Sequence, residues 1–169
     1  MITFATVATA SSLAATAGAL GWAAVSDIRR YIIPNSVPVI VAGAFALTAC
    51  FLPWSFLIGG GVTSMAILAV GALFFMRGWM GGGDAKLLAT VALWAGPSLF
   101  SHFALVTAVA GAGLAALMLS PLRRFMPAPS ADALSLTSAG GKRYQPMPYG
   151  VAIAVGGAYV IALQLPLLR

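Results

Sequence analysis

The chain has 169 residues, of which 61% are hydrophobic and 7% are charged, and its mean hydropathy is +1.00. Soluble domains carry roughly 25% charged residues, so this composition excludes a soluble globular domain, and its apolar content excludes a disordered chain. It predicts an integral membrane protein. The net charge of +6 is then a topology signal, because too little polar surface remains for a nucleic-acid interface. The single cysteine, Cys50, excludes internal disulfides and multi-cysteine metal sites, and we expect no metal or organic cofactor.

Six apolar runs follow one another along the chain, at residues 2–25, 37–52, 60–76, 85–95, 98–119 and 149–168. A helix needs about 20 apolar residues to cross a bilayer, and all runs except the fourth approach that length. The sequence therefore predicts an all-α integral membrane protein, a bundle of about six transmembrane helices that forms one domain over residues 1–169.

The fourth run is short, because Gly96-Pro97 closes it and Gly81-Gly82-Gly83 precedes it. From Asp84 to Pro97 a helix rises about 20 Å, which is less than the hydrocarbon thickness of about 30 Å. Glycines permit positive φ and close backbone approach, and irregular backbone at membrane depth survives only beside protein or water. We expect a short fourth helix that is opened by a Gly-rich loop dipping into the membrane.

Basic residues predict the orientation of the bundle. With six spans, eight of the nine Lys and Arg residues fall in loops on one face, and only Arg169 falls on the other. The positive-inside rule makes the basic face cytoplasmic and places both termini outside. That face includes the one long polar stretch, residues 121–148, which we expect to be an extra-membrane loop.

Few side chains are available for acid–base chemistry. There is no Glu, the only histidine, His102, is predicted on the outer side, and Asp132 lies in the polar loop. Asp27 and Asp84 are separated by two full spans, so both return to one face, near or inside the membrane boundary. A carboxylate costs up to about 2.5–3.5 kcal/mol at the bilayer centre, and such residues are usually functional. The structural alternative for either is a helix cap or an ion-pair partner.

A pair of carboxylates in contact has a defined chemistry. Two like charges cannot both ionise cheaply at contact, so the pair shares a proton. One carboxylate then acts as a base toward a water molecule and the other as an acid toward a scissile carbonyl, as in aspartic proteases. The residues alone thus favour hydrolysis of a peptide bond, provided that Asp27 and Asp84 meet.

Three segments resemble the type IV prepilin peptidase family, whose members are intramembrane aspartic peptidases of the Gly-x-Gly-Asp type. Residues 26–35, Ser-Asp-Ile-Arg-Arg-Tyr-Ile-Ile-Pro-Asn, resemble the family's Asp-x6-Pro-Asn segment. Residues 81–87, Gly-Gly-Gly-Asp-Ala-Lys-Leu, resemble its Gly-x-Gly-Asp-x-Lys-Leu segment. Pro148-Tyr149-Gly150 resembles the Pro-aromatic-Gly start of its final helix. The three occur in the family's order along nearly the whole chain.

The resemblance implies an endopeptidase that removes the short basic leader of prepilins or pseudopilins at the cytoplasmic face of the bacterial inner membrane. It implies that Asp27 and Asp84 form the catalytic pair. Further residues carried over from the family motifs shape the Asp84 loop or bind substrate: Gly81, Gly83, Lys86, Pro34, Asn35, Pro148 and Gly150. For Lys86 the structural alternative is that it extends to lipid headgroups.

The resemblance also implies which form of the enzyme this is. Longer family members begin with an extra cytoplasmic region that holds cysteine pairs, and they also methylate the new N-terminus. This chain begins at its first span and has a single cysteine, so we expect peptidase activity without methylation. The compact form resembles the peptidases of Tad/Flp-type pilus systems. The expected partners are a prepilin helix and the lipid bilayer, with no nucleic acid.

Two other classes of function remain open from the residues. A small proton-coupled transporter could use Asp27 and Asp84 as a proton relay, and it would need polar groups that continue toward the outer face. A non-enzymatic assembly scaffold could use Gly-rich helix faces such as Gly18/Gly21 and Gly156/Gly157. The scaffold leaves the aspartate pair unexplained.

Overall fold

The computed structural model describes residues 4–125, 127 and 147–165, and these ranges are helical without any strand. The prediction of an all-α protein is thus confirmed for the described ranges. The α-helices are α1 (Phe4–Arg30), α2 (Ser36–Thr48), α3 (Trp54–Met76), α4 (Gly82–Leu119) and α5 (Tyr149–Gln164). Short 3-10 helices follow α2 at Ala49–Phe51 and α4 at Pro121–Phe125. The long helices α1, α3 and α4 are apolar enough to cross a membrane, which identifies a helical membrane protein.

The predicted count of about six helices is not confirmed, because the described ranges contain five. The fourth and fifth predicted spans join in the 38-residue helix α4. Gly96 interrupts α4 with φ 54° and ψ −174°, a conformation that glycine adopts far more readily than other residues, and Pro97 follows it. The break therefore falls where the sequence predicts a boundary, although hydrogen-bonded helix continues on both sides of it.

The break at Gly96 folds α4 back on itself into two arms, residues 82–95 and 97–119. In the middle of α5, Gly157 lies against Val91 of the first arm and Gly156 lies against Thr107 of the second arm. Nearer the start of α5, Gly111 of the second arm packs against the Tyr149 ring. Contacts therefore run up the first arm and down the second, which means that the arms are antiparallel. The first arm alone rises about 21 Å, in keeping with the short fourth segment expected from the sequence.

Helix α3 packs beside the first arm in antiparallel fashion and contributes little else to the core. Only Gly60 and Gly71 of α3 are buried. A Cβ atom at Gly60 would lie 2.5 Å from the Leu93 carbonyl oxygen, and one at Gly71 would lie 2.9 Å from the Ala85 Cβ. Ser64 donates a hydrogen bond of 2.7 Å to the Ala89 carbonyl between them. The core proper lies between α1, α2, α5 and the first arm, where Trp94 is 2% exposed.

One end of the bundle gathers the described basic residues. The last turn of α1 carries Arg29 and Arg30, Arg77 follows α3, and Arg123 and Arg124 follow α4. The ends of these helices lie at the same end of the bundle as the starts of α4 and α5. Lys142 and Arg143, with Asp132 and most of the predicted loop 121–148, lie outside the described residues.

Candidate functional site

Asp27 lies in the last turn of α1, whereas the sequence placed it just after the first span. Its side chain is 4% exposed. The backbone amide of Gly150, in the first turn of α5, donates a hydrogen bond of 2.6 Å to Asp27 Oδ2. The first amides of a helix have no partner within the helix and carry a partial positive charge, so they are suited to hold a carboxylate.

Asp84 lies in the first turn of α4 and is partly exposed. Its carboxylate folds back toward the residue that caps the helix, so that a Cβ atom at Gly81 would lie 2.8 Å from Asp84 Oδ2. An acidic side chain at this position of a helix commonly turns back toward the amide at the N-cap, as in a capping box.

The structure brings the two aspartates to the same end of the bundle, and their carboxylates lie within electrostatic range of each other. They reach this position on different helices, α1 and α4, and Asp27 is held by the Gly150 amide at the start of α5. Asp27 is buried, whereas Asp84 is partly exposed. Two carboxylates that come into contact share a proton and can polarise a water molecule.

Of the two properties expected of the three glycines before Asp84, the structure shows close approach and not positive φ. Among the described glycines only Gly78 and Gly96 have positive φ, and Gly81 is extended with φ −69° and ψ 141°. The close approach is to the α1–α2 connection: a Cβ atom at Gly83 would lie 3.1 Å from the Ile33 Cβ. A side chain at Gly83 would thus push the start of α4 away from the chain that follows α1.

Residues 31–35 connect α1 to α2. Ile33 of this connection packs against Gly83, which precedes Asp84, and against Gly150, which binds Asp27. Tyr31 has φ 55°, which turns the chain sharply after α1. Asn35 occupies the N-cap of α2 but makes no capping hydrogen bond. Its Oδ1 instead accepts a hydrogen bond of 3.0 Å from Lys86 Nζ, and both residues were expected to shape the Asp84 loop or bind substrate. Residues of the first two motifs are therefore joined directly.

The third motif, Pro148-Tyr149-Gly150, meets the same site from α5. Pro148 is fully buried at the N-cap, and the Tyr149 ring packs on Gly111, where a Cβ atom would lie 2.7 Å from Tyr149 Cε2. These contacts fix the start of α5 so that the Gly150 amide is directed at Asp27. All three motifs that carry the family resemblance thus converge at one end of the bundle.

The remaining polar candidates lie elsewhere. His102 is exposed on the second arm of α4, nine residues before the Gly111 that contacts α5 near the aspartates, hence about 13 Å away along the arm. Cys50 is exposed in the 3-10 helix after α2, at the other end of the bundle. Among the described residues, no group of three or more His, Cys, Asp or Glu could hold a metal ion. His102 and Cys50 both lie away from the aspartates in the described part of the chain.

Two site residues were not singled out from the sequence. Ile33 is 8% exposed and contacts both Gly83 and Gly150, and the Ser26 hydroxyl donates a hydrogen bond of 2.8 Å to the Ile32 carbonyl. An isoleucine within a hydrophobic stretch carries no signal of such a role. Its position becomes informative only when the starts of α4 and α5 are seen to meet around it.

Comparison with known protein families identifies the class of protein. The model of the type IV leader peptidase family matches residues 14–116, more than half of the chain and a range that includes both aspartates. The chain belongs to this family of proteases. The matched range ends before α5, so the contact between Gly150 and Asp27 is an observation independent of it. Comparisons with curated proteins and with solved structures gave no match.

Proposed function

We propose that the protein is a membrane-embedded aspartic endopeptidase that removes the short basic leader from prepilins or prepilin-like proteins. The observation that carries this proposal is that Asp27 and Asp84 lie at the same end of the bundle, within electrostatic range of each other, with Asp27 held by the Gly150 amide. Membership of a leader peptidase family supplies the reaction type. No other pair of acidic side chains occurs in the described residues.

The proposed reaction needs only the two carboxylates and water. The ionised carboxylate removes a proton from a water molecule, which attacks the scissile carbonyl carbon. The protonated carboxylate donates its proton toward the carbonyl oxygen, giving a tetrahedral intermediate. Collapse of the intermediate breaks the C–N bond, and the leaving amine takes up a proton from the pair. The Gly150 amide keeps the Asp27 carboxylate in place during these transfers.

The substrate class is supported by the setting of the site. A prepilin is a hydrophobic helix preceded by a charged leader, and the aspartates lie where apolar helices end and basic residues gather. A site at this level can reach a bond just before a membrane-embedded helix. We assign the aspartate end to the cytoplasm by the positive-inside rule, with both termini outside. The enclosing membrane is then the bacterial inner membrane.

The proposal is tested by co-expressing the chain with a prepilin that has a basic leader and a glycine before the cut. We expect Asp27→Asn and Asp84→Asn each to accumulate uncut precursor, with a loss of rate of roughly 10²–10⁴-fold. The matched control is Asp132→Asn, which removes the only other acidic residue and should cut at the wild-type rate. Cleavage retained by either Asp27→Asn or Asp84→Asn, at normal levels of inserted protein, would contradict the proposal.

A proton-coupled transporter draws less support from the described residues. It requires polar groups that continue from the aspartates to the opposite end of the bundle. The hydroxyls of Thr48 and Ser64 donate to the carbonyls of Phe45 and Ala89, and the buried Thr107 hydroxyl has no hydrogen-bond partner among the described residues. These groups do not form a chain with one another.

A further inference from the structure

We propose that Ile33 is a positioning residue that sets the separation of the two aspartates, and that the α1–α2 connection, residues 31–35, fixes Ile33 in that place. The inference rests on the proposed function, because it explains how two acids on different helices stay aligned for one reaction. It concerns a residue that neither touches the reacting atoms nor carries a polar group.

Ile33 packs against the starts of two helices at once. A Cβ atom at Gly83, in the first turn of α4, would lie 3.1 Å from the Ile33 Cβ. A Cβ atom at Gly150, in the first turn of α5, would lie 2.7 Å from the Ile33 Cδ1. The branched side chain is 8% exposed and therefore fills the space between these two backbones.

The two glycines in contact with Ile33 are those next to the aspartates. Gly83 immediately precedes Asp84, and the Gly150 amide donates to Asp27 Oδ2 at 2.6 Å. The Ile33 side chain thus sets how closely the backbone that carries one acid approaches the backbone that holds the other. Its Cβ atom lies nearest to Gly83 of α4, and its Cδ1 atom lies nearest to Gly150 of α5.

The connection that carries Ile33 is fastened to both helices that bear the aspartates. On one side of Ile33, the Ser26 hydroxyl, next to Asp27 on α1, donates to the Ile32 carbonyl at 2.8 Å. On the other side, Lys86 of α4 donates to Asn35 Oδ1 at 3.0 Å. A side chain between two such attachments is poorly able to move away, so it acts as a fixed spacer.

Removal of this side chain should therefore disturb geometry before it disturbs folding. Truncation to alanine leaves a cavity between the starts of α4 and α5, and the surrounding structure relaxes into such cavities only in part. A misplacement of about 1 Å in a catalytic arrangement can cost about 10²-fold in rate. A residue that merely filled the core would lower the amount of folded enzyme and leave its turnover number unchanged.

The geometry is tested without activity by cysteine cross-linking in native membranes. In a Cys50→Ser chain with Asp27→Cys and Asp84→Cys, the yields with bifunctional thiol reagents of graded length report the separation of the two positions. We expect Ile33→Ala to change the ratio of short- to long-linker product by about threefold or more, because the variant removes the Cδ1 atom that contacts Gly150 and keeps only the Cβ atom beside Gly83. The matched control is Ile161→Ala, an isoleucine of similar burial (7% exposed) in the opposite half of α5, which should leave the ratio unchanged.

Activity supplies the second readout. In the otherwise wild-type chain we expect Ile33→Ala to lower kcat for prepilin cleavage roughly 10- to 100-fold with KM unchanged, whereas Ile161→Ala keeps the wild-type kcat. If Ile33→Ala fails to insert, Ile33→Val removes only the Cδ1 that faces Gly150 and should shift both readouts in the same direction by less. Equal effects of Ile33 and Ile161 variants, or no effect of either Ile33 variant on the linker ratio, would overturn the spacer.

Failure of the spacer and failure of the proposed function give different results. If the wild-type chain cuts no prepilin but the linker ratio still depends on Ile33, the peptidase proposal fails and the spacer stands. If the wild-type chain cuts prepilin and the ratio is the same with Ile33→Ala as with isoleucine, the spacer fails and the peptidase stands.

Discussion

The absence of a side chain at Gly150 allows its backbone to lie close to Asp27 and Ile33. Its amide holds Asp27 Oδ2 at 2.6 Å, and a Cβ atom at this position would lie 2.8 Å from that same oxygen and 2.7 Å from the Ile33 Cδ1. Real Cβ atoms do not approach other atoms so closely, so any side chain must displace the carboxylate or the isoleucine. The observed positions of the Asp27 carboxylate and the Ile33 side chain therefore leave no room for a side chain at this position.

At the same scale, Gly150→Ala should impair cleavage more than it impairs folding. We expect kcat to fall roughly 10- to 100-fold, because the added methyl group displaces the Asp27 carboxylate from its amide. Gly113→Ala on α4 is the control, since a Cβ atom there meets nothing within 4 Å. Both variants are compared by initial rate per mole of inserted protein. A Gly150→Ala rate equal to that of Gly113→Ala would show that the carboxylate does not depend on this contact.

At the scale of elements, the contact between α3 and the first arm of α4 depends on small residues. Gly60 lies against the Leu93 carbonyl, and Gly71 lies against Ala85. The Leu93 carbonyl has no helical amide partner, because the residue four positions later is Pro97. Close backbone approach replaces large side chains here, as is common between membrane helices. The interface fixes the end of α3, after which the chain leads to Gly81 at the start of α4.

This interface predicts a difference between two neighbouring glycines. Gly60→Ala places a methyl group 2.5 Å from the Leu93 carbonyl oxygen and should lower stability by about 1–3 kcal/mol. Gly61→Ala meets nothing within 4 Å and should leave stability unchanged or slightly raised. Thermal unfolding in detergent, followed by helical circular dichroism, separates the two. Equal stability of the two variants would mean that α3 does not pack closely against α4 in the detergent-solubilised protein.

The sequence predicts elements better than it predicts their contacts. Apolar runs locate all five helices, and Gly96-Pro97 marks the break in α4, because composition and backbone restriction act locally. The antiparallel return of the second arm, the Lys86–Asn35 hydrogen bond and the position of Ile33 arise from contacts between distant segments. Asp27 and Asp84 could be selected from the sequence because the chain has so few acids, whereas the hydrogen bond from the Gly150 amide to Asp27 could not be predicted.

At the scale of the whole molecule, charge and site lie at one end. The basic residues that end α1 and follow α3 and α4 occupy the end of the bundle that carries both aspartates, so the orientation of the bundle also decides on which side of the membrane the site opens. A cytoplasmic site suits a substrate that is made in the cytoplasm and cut before its apolar helix leaves the membrane. Orientation is therefore part of the proposed mechanism.

Thiol labelling of intact cells checks this orientation. In a Cys50→Ser chain, a cysteine introduced as Ser138→Cys in the predicted loop should react with a membrane-impermeant maleimide only after the inner membrane is opened. The control is the wild-type chain, whose Cys50 is exposed at the opposite end of the bundle and should react without that treatment. Labelling of Ser138→Cys in intact cells would mean that the bundle has the opposite orientation, with the site on the outer side of the membrane.

The cooperation of Asp27 and Asp84 is measured most directly by a double-mutant comparison of cleavage rates. If the carboxylates act as one unit, the rate of Asp27→Asn/Asp84→Asn should equal that of either single variant within about threefold, because removing one member already disables the pair. Wild type should exceed all three by roughly 10²–10⁴-fold. Losses that multiply in the double variant would mean that the two acids contribute independently, and the paired mechanism would be wrong.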